Sequence, residues 1–283
     1  MIHLLIPYFG KFPNYFQLYL DSVANNTDIL HIIFITDIDT TKYNFPPNTT
    51  IINKSFEDVR RSAYDLITHE FNITIDYKNL LKTPYKLADF KPLQPKLFQP
   101  LLPVIPSTDY IGWGDCDIIL GKVSNFVNMS THPTLIGRHG HFTAFRNIEP
   151  YLSLYKQINQ IIPRLMDERI MYVDEHEWAA AAVLTTQKNN LQFCDISQII
   201  CDIIPWQWLI HKELTMTTKP NAIIKFLDYD TTTGKLNIYF KDGTNQETLY
   251  VHLQKRAMIQ TFEEYLHKFY IHKESFDLIS NIE

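Results

Sequence analysis

Glycine and cysteine are the scarce residues of this 283-residue chain, and their scarcity excludes several kinds of chemistry. There are 8 glycines. Gly112 and Gly114 begin a GxG, but the third position of a dinucleotide-binding GxGxxG is occupied by Asp117. No GxxxxGK followed by Ser or Thr occurs, so a P-loop is excluded as well. The 3 cysteines, Cys116, Cys194 and Cys201, form an odd set without a CxxC spacing. That argues against a disulfide framework or a zinc ribbon and points to a reducing compartment. Basic charge is also short: 26 Lys and Arg against 31 Asp and Glu give a net charge of −5. A nucleic-acid binder shows the opposite bias, so that class of partner is not expected. No run reaches the roughly 18 apolar residues of a membrane span. Met1–Pro7 lacks a basic leader region and a small-residue cleavage site, and reads as a buried strand instead of a signal peptide. The expected location is the cytoplasm.

What is present is ordinary globular material, 45% hydrophobic and 20% charged. The length allows one large domain or two small ones. An apolar run at 2–6, helical spacing over 14–24 and a second apolar run at 30–35 predict β-α-β with a parallel sheet covered on both faces. A third short strand at 51–53 and helices at 56–69 and 84–90 follow. Residues 109–121 read as a strand, a polar break and a second strand. Helices are expected at 150–164 and 175–187. Beyond about 220, alternating segments separated by Thr233-Gly234 and Asp242-Gly243 predict antiparallel hairpins. An amphipathic helix is expected over 257–270. The predicted class is α/β: a mixed, mainly parallel Rossmann-like sheet flanked by helices. It forms one domain over 1–283, with an α/β core at 1–215 and hairpins plus a final helix at 216–283.

Five constellations could carry chemistry. Asp115-Cys116-Asp117 sits between two apolar strands, and its two carboxylates suit a hard divalent cation such as Mg²⁺ or Mn²⁺ shared with a diphosphate. The plain alternative is a solvated Asp turn. Asp174-Glu175-His176-Glu177 opens a helix, where acids cap the dipole; one of them could also serve as a catalytic base. His252 is followed by Gln254-Lys255-Arg256, so a metal-ligating imidazole beside two cations could grip a pyrophosphate; a half-buried strand histidine is the bland reading. Tyr85-Lys86-Leu87-Ala88-Asp89-Phe90-Lys91-Pro92 is either a helix end or a pocket for base and phosphate. His139-Gly140-His141, with Arg146-Asn147, lacks a third zinc ligand at the usual spacing and suggests a loop that reads hydroxyls. Trp206 and Trp208 would stack on a sugar or plug the core.

Taken in order, Pro7-Tyr8-Phe9 at the end of the first strand, Asp37 after the second, Asp115 and Asp117, the acids Asp174 and Glu175, and the late His252 resemble the nucleotide-sugar glycosyltransferases of GT-A fold; with Ile6–Gly10, Tyr85–Pro92, Gly112–Asp117, Gly140-His141-Phe142 with Arg146-Asn147, and His252–Arg256 the likeness narrows. More closely, they resemble a bacterial family known mostly as an uncharacterised domain from capsule and lipopolysaccharide gene clusters. The resemblance covers roughly residues 2–258. It implies that Asp115, Asp117 and His252 hold Mn²⁺ or Mg²⁺. It also implies that Pro7, Tyr8, Phe9 and Asp37 lie near the nucleoside, and that Lys86, Asp89, Lys91 and Lys255 complete the donor pocket. Glu175, or else Asp174, would be the base of an inverting transfer from a UDP-linked sugar to a glycan or lipid-linked acceptor. Two departures stand. The acidic motif is Val173-Asp174-Glu175 instead of the commoner Glu-Asp order, which leaves the choice of base open, and the early loop signature is missing. Lys255, Arg256, Lys268 and Lys273 offer an electrostatic handle for loose attachment to the inner membrane face. The rivals are a non-catalytic carbohydrate- or nucleotide-binding protein and a DxD phosphatase. The latter wants its motif near the N-terminus with Thr or Val where Ile119 stands.

Overall fold

The computed structural model describes residues 1–202, 214–216, 219–254, 257–260, 268–272 and 275–278. Strand β1 (Ile2–Pro7) is apolar on both faces because each face carries a helix. Helix α1 (Phe16–Ala24) buries Phe16, Tyr19, Leu20 and Val23 against Ile2, Leu4 and Ile6 of β1. Strand β2 (Leu30–Thr36) returns parallel to β1, Ile2 opposite Leu30, and β3 (Thr49–Asn53) continues parallel beyond it. Helix α2 (Phe56–Phe71) covers the other face, with Val59, Ala63 and Ile67 on one stripe at four-residue spacing. Its start is fixed by a capping box between Ser55 and Asp58.

Where a helix over 84–90 was expected, the chain forms 3-10 turns at Pro84–Ala88 and Lys91–Leu93 and one short helix, α3 (Gln94–Leu97). Pro84, Pro92 and Pro95 remove amide donors and break up any longer ladder. Next come β4 (Tyr110–Gly114), β5 (Ile118–Leu120), β6 (Leu135–His139) and β7 (Phe142–Arg146). The expected helix at 150–164 is split into a 3-10 segment, Tyr151–Gln157, and α4 (Ile161–Met166), with Gln160 between them at φ 54°. A π-helical turn, Asp174–Trp178, runs into α5 (Ala179–Lys188). Strands β8 (Phe193–Cys194) and β9 (Ile200–Asp202) follow.

The main sheet has the order β3-β2-β1-β4-β7-β6-β8. Strands β3, β2, β1 and β4 are parallel, β7 is antiparallel to both β4 and β6, and β8 is parallel to β6. This is the mixed α/β class expected. A second sheet holds β10 (Leu214–Met216), β11 (Lys219–Asp230), β12 (Leu236–Phe240) and β13 (Asn245–Glu247). The β12–β13 hairpin leads into β14 (Tyr250–His252), which leaves that sheet. It inserts between β5 and β9, antiparallel to the first and parallel to the second. The C-terminal hairpins are thereby stitched to the core.

The helix expected over 257–270 is corrected. Ile259–Gln260 is β15 and Lys268–Ile271 is β16, followed by β17 (Ser275–Leu278), while 261–267 lie outside the described residues. Along β16, Phe269 and Ile271 are buried and Lys268 is exposed, a two-residue period that fits its pairing with β11. Lys268 is also drawn into the sheet, 2.9 Å from buried Asp228; Lys255, Arg256 and Lys273 lie outside the described residues. No helix among the described residues is long and apolar enough to cross a membrane.

Candidate functional site

The carboxyl ends of β1 and β4 open onto a cavity of about 660 Å³. That is the position at which open α/β sheets place ligands. Its walls include Pro7, Tyr8 and Phe9 at the end of β1, Asp115 and Asp117 after β4, and His141 from the β6–β7 turn. Asp174 and Glu175 at the π-helical turn, and Asp202 and His252 from the three-stranded sheet, complete the polar part.

Backbone pairing brings these groups together. The Asp115 amide donates to the His141 carbonyl at 3.1 Å, extending the β4–β7 ladder by one residue and fixing the histidine beside the acid. The register of β14 sets His252 opposite both Ile118 and Asp202, and the Leu253 amide donates to the Asp117 carbonyl at 2.8 Å. Potential ligand atoms of Asp115, His141 and His252 lie within 4.8 Å of one another. The two imidazole centroids are 3.7 Å apart. A carboxylate and two imidazoles at that spacing fit a transition-series divalent ion.

The expected trio was Asp115, Asp117 and His252. The structure brings His141 into Asp117's place in this cluster. Asp117 is buried, not partly exposed as a solvated turn would be, and its carboxylate sits 3.5 Å from His252 Nε2. On the other side of the ring, Asp202 Oδ1 is 3.0 Å from His252 Nδ1. Burial alone would lower the His252 pKa, but Asp117 and Asp202 outweigh it and raise the pKa to about 10. Unless an ion is held there, the ring carries the positive charge that balances Asp117 and Asp202; a divalent ion held by this ring would replace its proton. His141 behaves oppositely: burial first, then the neighbouring His252, lowers it to about 3, leaving a neutral ring with a lone pair to offer.

Lys91 forms the second balance. Its buried ammonium lies 2.9 Å from Asp115 Oδ1 and 3.7 Å from Asp174 Oδ2, and it donates to the Gly140 carbonyl at 2.9 Å. Burial opposes its charge, yet Asp115, Asp174 and Glu175 together hold its pKa above the ordinary lysine value. Asp174 is not a solvated cap on a helix dipole. It is buried, and burial, with Glu175 and Asp115 adding repulsion, raises it to about 7 despite Lys91. A raised carboxyl stabilises the fold in its protonated form. Its contribution is complete below the ordinary value of 3.8 and is lost as pH rises through about 7. Asp174→Asn should therefore gain thermal stability relative to wild type between pH 5 and pH 8, read from paired melting curves. A stability difference independent of pH would contradict this.

Glu175 is more open, its side chain 35% exposed against 5% for Asp174, and it accepts the Gly140 amide at 3.2 Å. Gly140 lets both acids approach the backbone closely. A Cβ there would stand 2.5 Å from Glu175 Oε1 and 2.9 Å from Asp174 Oδ2. Gly140→Ala should displace both acids while leaving β6 and β7 paired. The expected result is a near-native circular dichroism spectrum with altered crystallographic positions for both carboxylates; unchanged positions would show that the close approach is not binding.

Other expected residues fall elsewhere. Asp37 is exposed after β2, near the start of α2, with the Phe56 amide 3.4 Å from its carboxylate, and it does not line the cavity. Lys86 and Asp89 are buried behind the wall as an ion pair at 2.6 Å. Lys86 also donates to the carbonyls of Arg164 and Arg169, and Asp89 accepts the amides of Met171 and Val173. They hold the wall in place and do not face a ligand. Glu177 pairs with Arg164 at 2.8 Å. Trp206, Trp208 and Lys255 lie outside the described residues.

Sequence reasoning did not put His141 beside Asp115 and His252, and it missed Asp202 altogether. The His-x-His pair was visible, but its partner, His252, is distant along the chain. Nothing local marks Asp202; only the β9–β14 register does.

No curated protein matches the chain. A family profile matches residues 4–279, which takes in every site residue named above, and the chain therefore belongs to that family, described as a family of unknown function, DUF6625.

Proposed function

We propose that this chain is a metal-dependent, inverting glycosyltransferase of GT-A type, moving a sugar from a UDP-linked donor to a glycan or lipid-linked acceptor in surface polysaccharide synthesis. The observation that carries the reading is the convergence, on one cavity at the carboxyl ends of parallel strands, of Asp115, His141 and His252 with the acids Asp174 and Glu175. A binding module has no need of a carboxylate pair set beside a ligand cluster.

Asp115, His141 and His252 are the residues that would hold the ion. Two imidazoles beside one carboxylate suit Mn²⁺ better than Mg²⁺, which prefers oxygen donors throughout. When bound, the ion supplies Lewis-acid charge to the diphosphate leaving group. The chain's own residues do the rest. Asp202 holds the His252 ring by Nδ1, 3.0 Å away, and so fixes its orientation beside Asp115 and His141. Lys91 neutralises Asp115 and Asp174. Glu175 takes the proton of the acceptor hydroxyl as its oxygen forms a bond to the anomeric carbon and the bond to the diphosphate breaks. Tyr8 and Phe9, at the end of β1, support the donor's nucleoside end.

Titration calorimetry with UDP tests the reading. Binding in Mn²⁺ should be lost in EDTA, and a UDP-sugar should be consumed slowly in water without acceptor. Equal UDP binding in both buffers, or no donor turnover under any metal, would overturn it.

A further inference from the structure

Two tyrosines stand out on the cavity wall because they are open: Tyr85 is 60% exposed and Tyr172 is 51% exposed. An open tyrosine offers a ligand both an apolar ring face and a polar hydroxyl. Tyr172 also carries a backbone cost. Its φ is 52°, a left-handed conformation that a bulky residue adopts only when its surroundings force it.

The force comes from the buried pair behind the wall. Asp89 accepts the amides of Met171 and Val173, the residues on either side of Tyr172. With both neighbours pinned inward, the backbone between them must turn outward and carry the Tyr172 ring with it. Lys86 follows Tyr85 directly, and its ammonium is tied to Asp89 and to the carbonyls of Arg164 and Arg169. One buried ion pair therefore fixes the backbone at both tyrosines. The Tyr172 ring also lies against His176, centroids 5.9 Å apart, which restricts it further. Rings held in this way lose little entropy on meeting a ligand.

From this geometry we infer that Tyr85 and Tyr172 form an aromatic platform that binds the saccharide ring of the acceptor. The inference rests on the proposed transfer for the word acceptor, and on the rings themselves for the word saccharide. A pyranose presents an apolar face of C–H groups to the electron-rich face of an aromatic ring, and hydroxyls around its rim to polar neighbours. His176 and the tyrosine hydroxyls are such neighbours. The assignment to the acceptor instead of the nucleobase follows from position. Tyr172 comes three residues before Glu175, the proposed base for the attacking hydroxyl, whereas the proposed function puts the nucleoside end at Tyr8 and Phe9. This also assigns Lys86 and Asp89 as positioning residues for the platform.

Saturation-transfer NMR with lactose and maltose as saccharide probes, alongside calorimetry with UDP and Mn²⁺, tests the platform on the full chain. Tyr172→Gly removes the ring and supplies the residue that favours φ 52°, so folding is not at risk. Tyr85→Ala removes the other ring from an exposed position. Each should weaken saccharide binding by about tenfold or more. Tyr172→Phe should retain it, and all three should bind UDP with Mn²⁺ as wild type does. The inference is overturned if wild type shows no transfer to either saccharide, or if both ring-removing variants keep it. It is equally overturned if the variants lose UDP and keep the saccharides, which would give the rings to the nucleoside. If wild type fails to bind UDP with Mn²⁺ while ring removal still abolishes saccharide binding, the platform stands and the proposed transferase reading falls.

Discussion

Glu175→Gln is expected to lower sugar transfer by about 10²–10⁴-fold, the usual consequence of losing a general base, while UDP binding with Mn²⁺ stays near wild type. The two adjacent acids differ in what surrounds them. Asp174 is buried against Lys91, at 3.7 Å, and its carboxyl is pushed up to about 7. Glu175 is 35% exposed to the cavity and anchored by the Gly140 amide at 3.2 Å. A base must touch the incoming hydroxyl, and only the second carboxylate combines access with fixed position. Glutamine keeps the acceptor oxygen for the Gly140 amide and removes only the capacity to take a proton. The loss should therefore fall on turnover, not on donor affinity. Asp174→Asn separates the alternatives. If Asp174 were the base, its variant would lose transfer, and the wild-type rate would rise with pH through about 7. Should Glu175→Gln transfer at the wild-type rate, the assignment to Glu175 is wrong.

The second large effect is expected at the ligand cluster. Asp115→Asn and His252→Gln should each weaken Mn²⁺ binding by on the order of 10²-fold or more, since even partners of a metal ligand typically contribute 10–100-fold. Nucleotide binding that depends on Mn²⁺ should fall with it. These substitutions are chosen to spare the fold. Removing the His252 ring outright would leave buried Asp117 and half-buried Asp202 without any donor from this position. Glutamine retains an amide donor for the acids but cannot carry the charge or offer the ring nitrogen. Electron paramagnetic resonance of free Mn²⁺ during titration reads the affinity directly. Wild-type affinity in both variants would remove Asp115 and His252 from the ligand set. His141→Ala gives the third arm. The ring is neutral at ordinary pH, its pKa lowered to about 3, so its removal disturbs no charge balance and reports on ligation alone.

Local pattern determined much of this protein. The runs of β1 and β2 read as strands buried on both faces, because apart from His3 and His31 their apolar residues are consecutive and do not alternate with polar ones. The four-residue stripe of α2, started by Ser55 and Asp58, could only be a surface helix. The hairpin turns at Gly234 and Gly243 were legible because both positions adopt positive φ, at 70° and 88°. Asp115-Cys116-Asp117 stood out for the same local reason: two acids between apolar strands have few uses. The final segment misled because 257–270 carries a helix-like spacing, while Lys268–Ile271 finds backbone partners on β11 and Ile259–Gln260 on β17 that only the folded sheet supplies.

Tertiary structure alone decided the working parts of the site. His141 and His252 meet because β7 lies beside β4 and β14 slips between β5 and β9, pairings between residues far apart in the chain. Asp202 enters by the same register. Burial, which no local pattern states, raised Asp174 and lowered His141. It also turned Lys86 and Asp89 from pocket residues into the clamp behind Tyr85 and Tyr172. Secondary structure follows from neighbours in sequence; charge state and ligand geometry follow from neighbours in space.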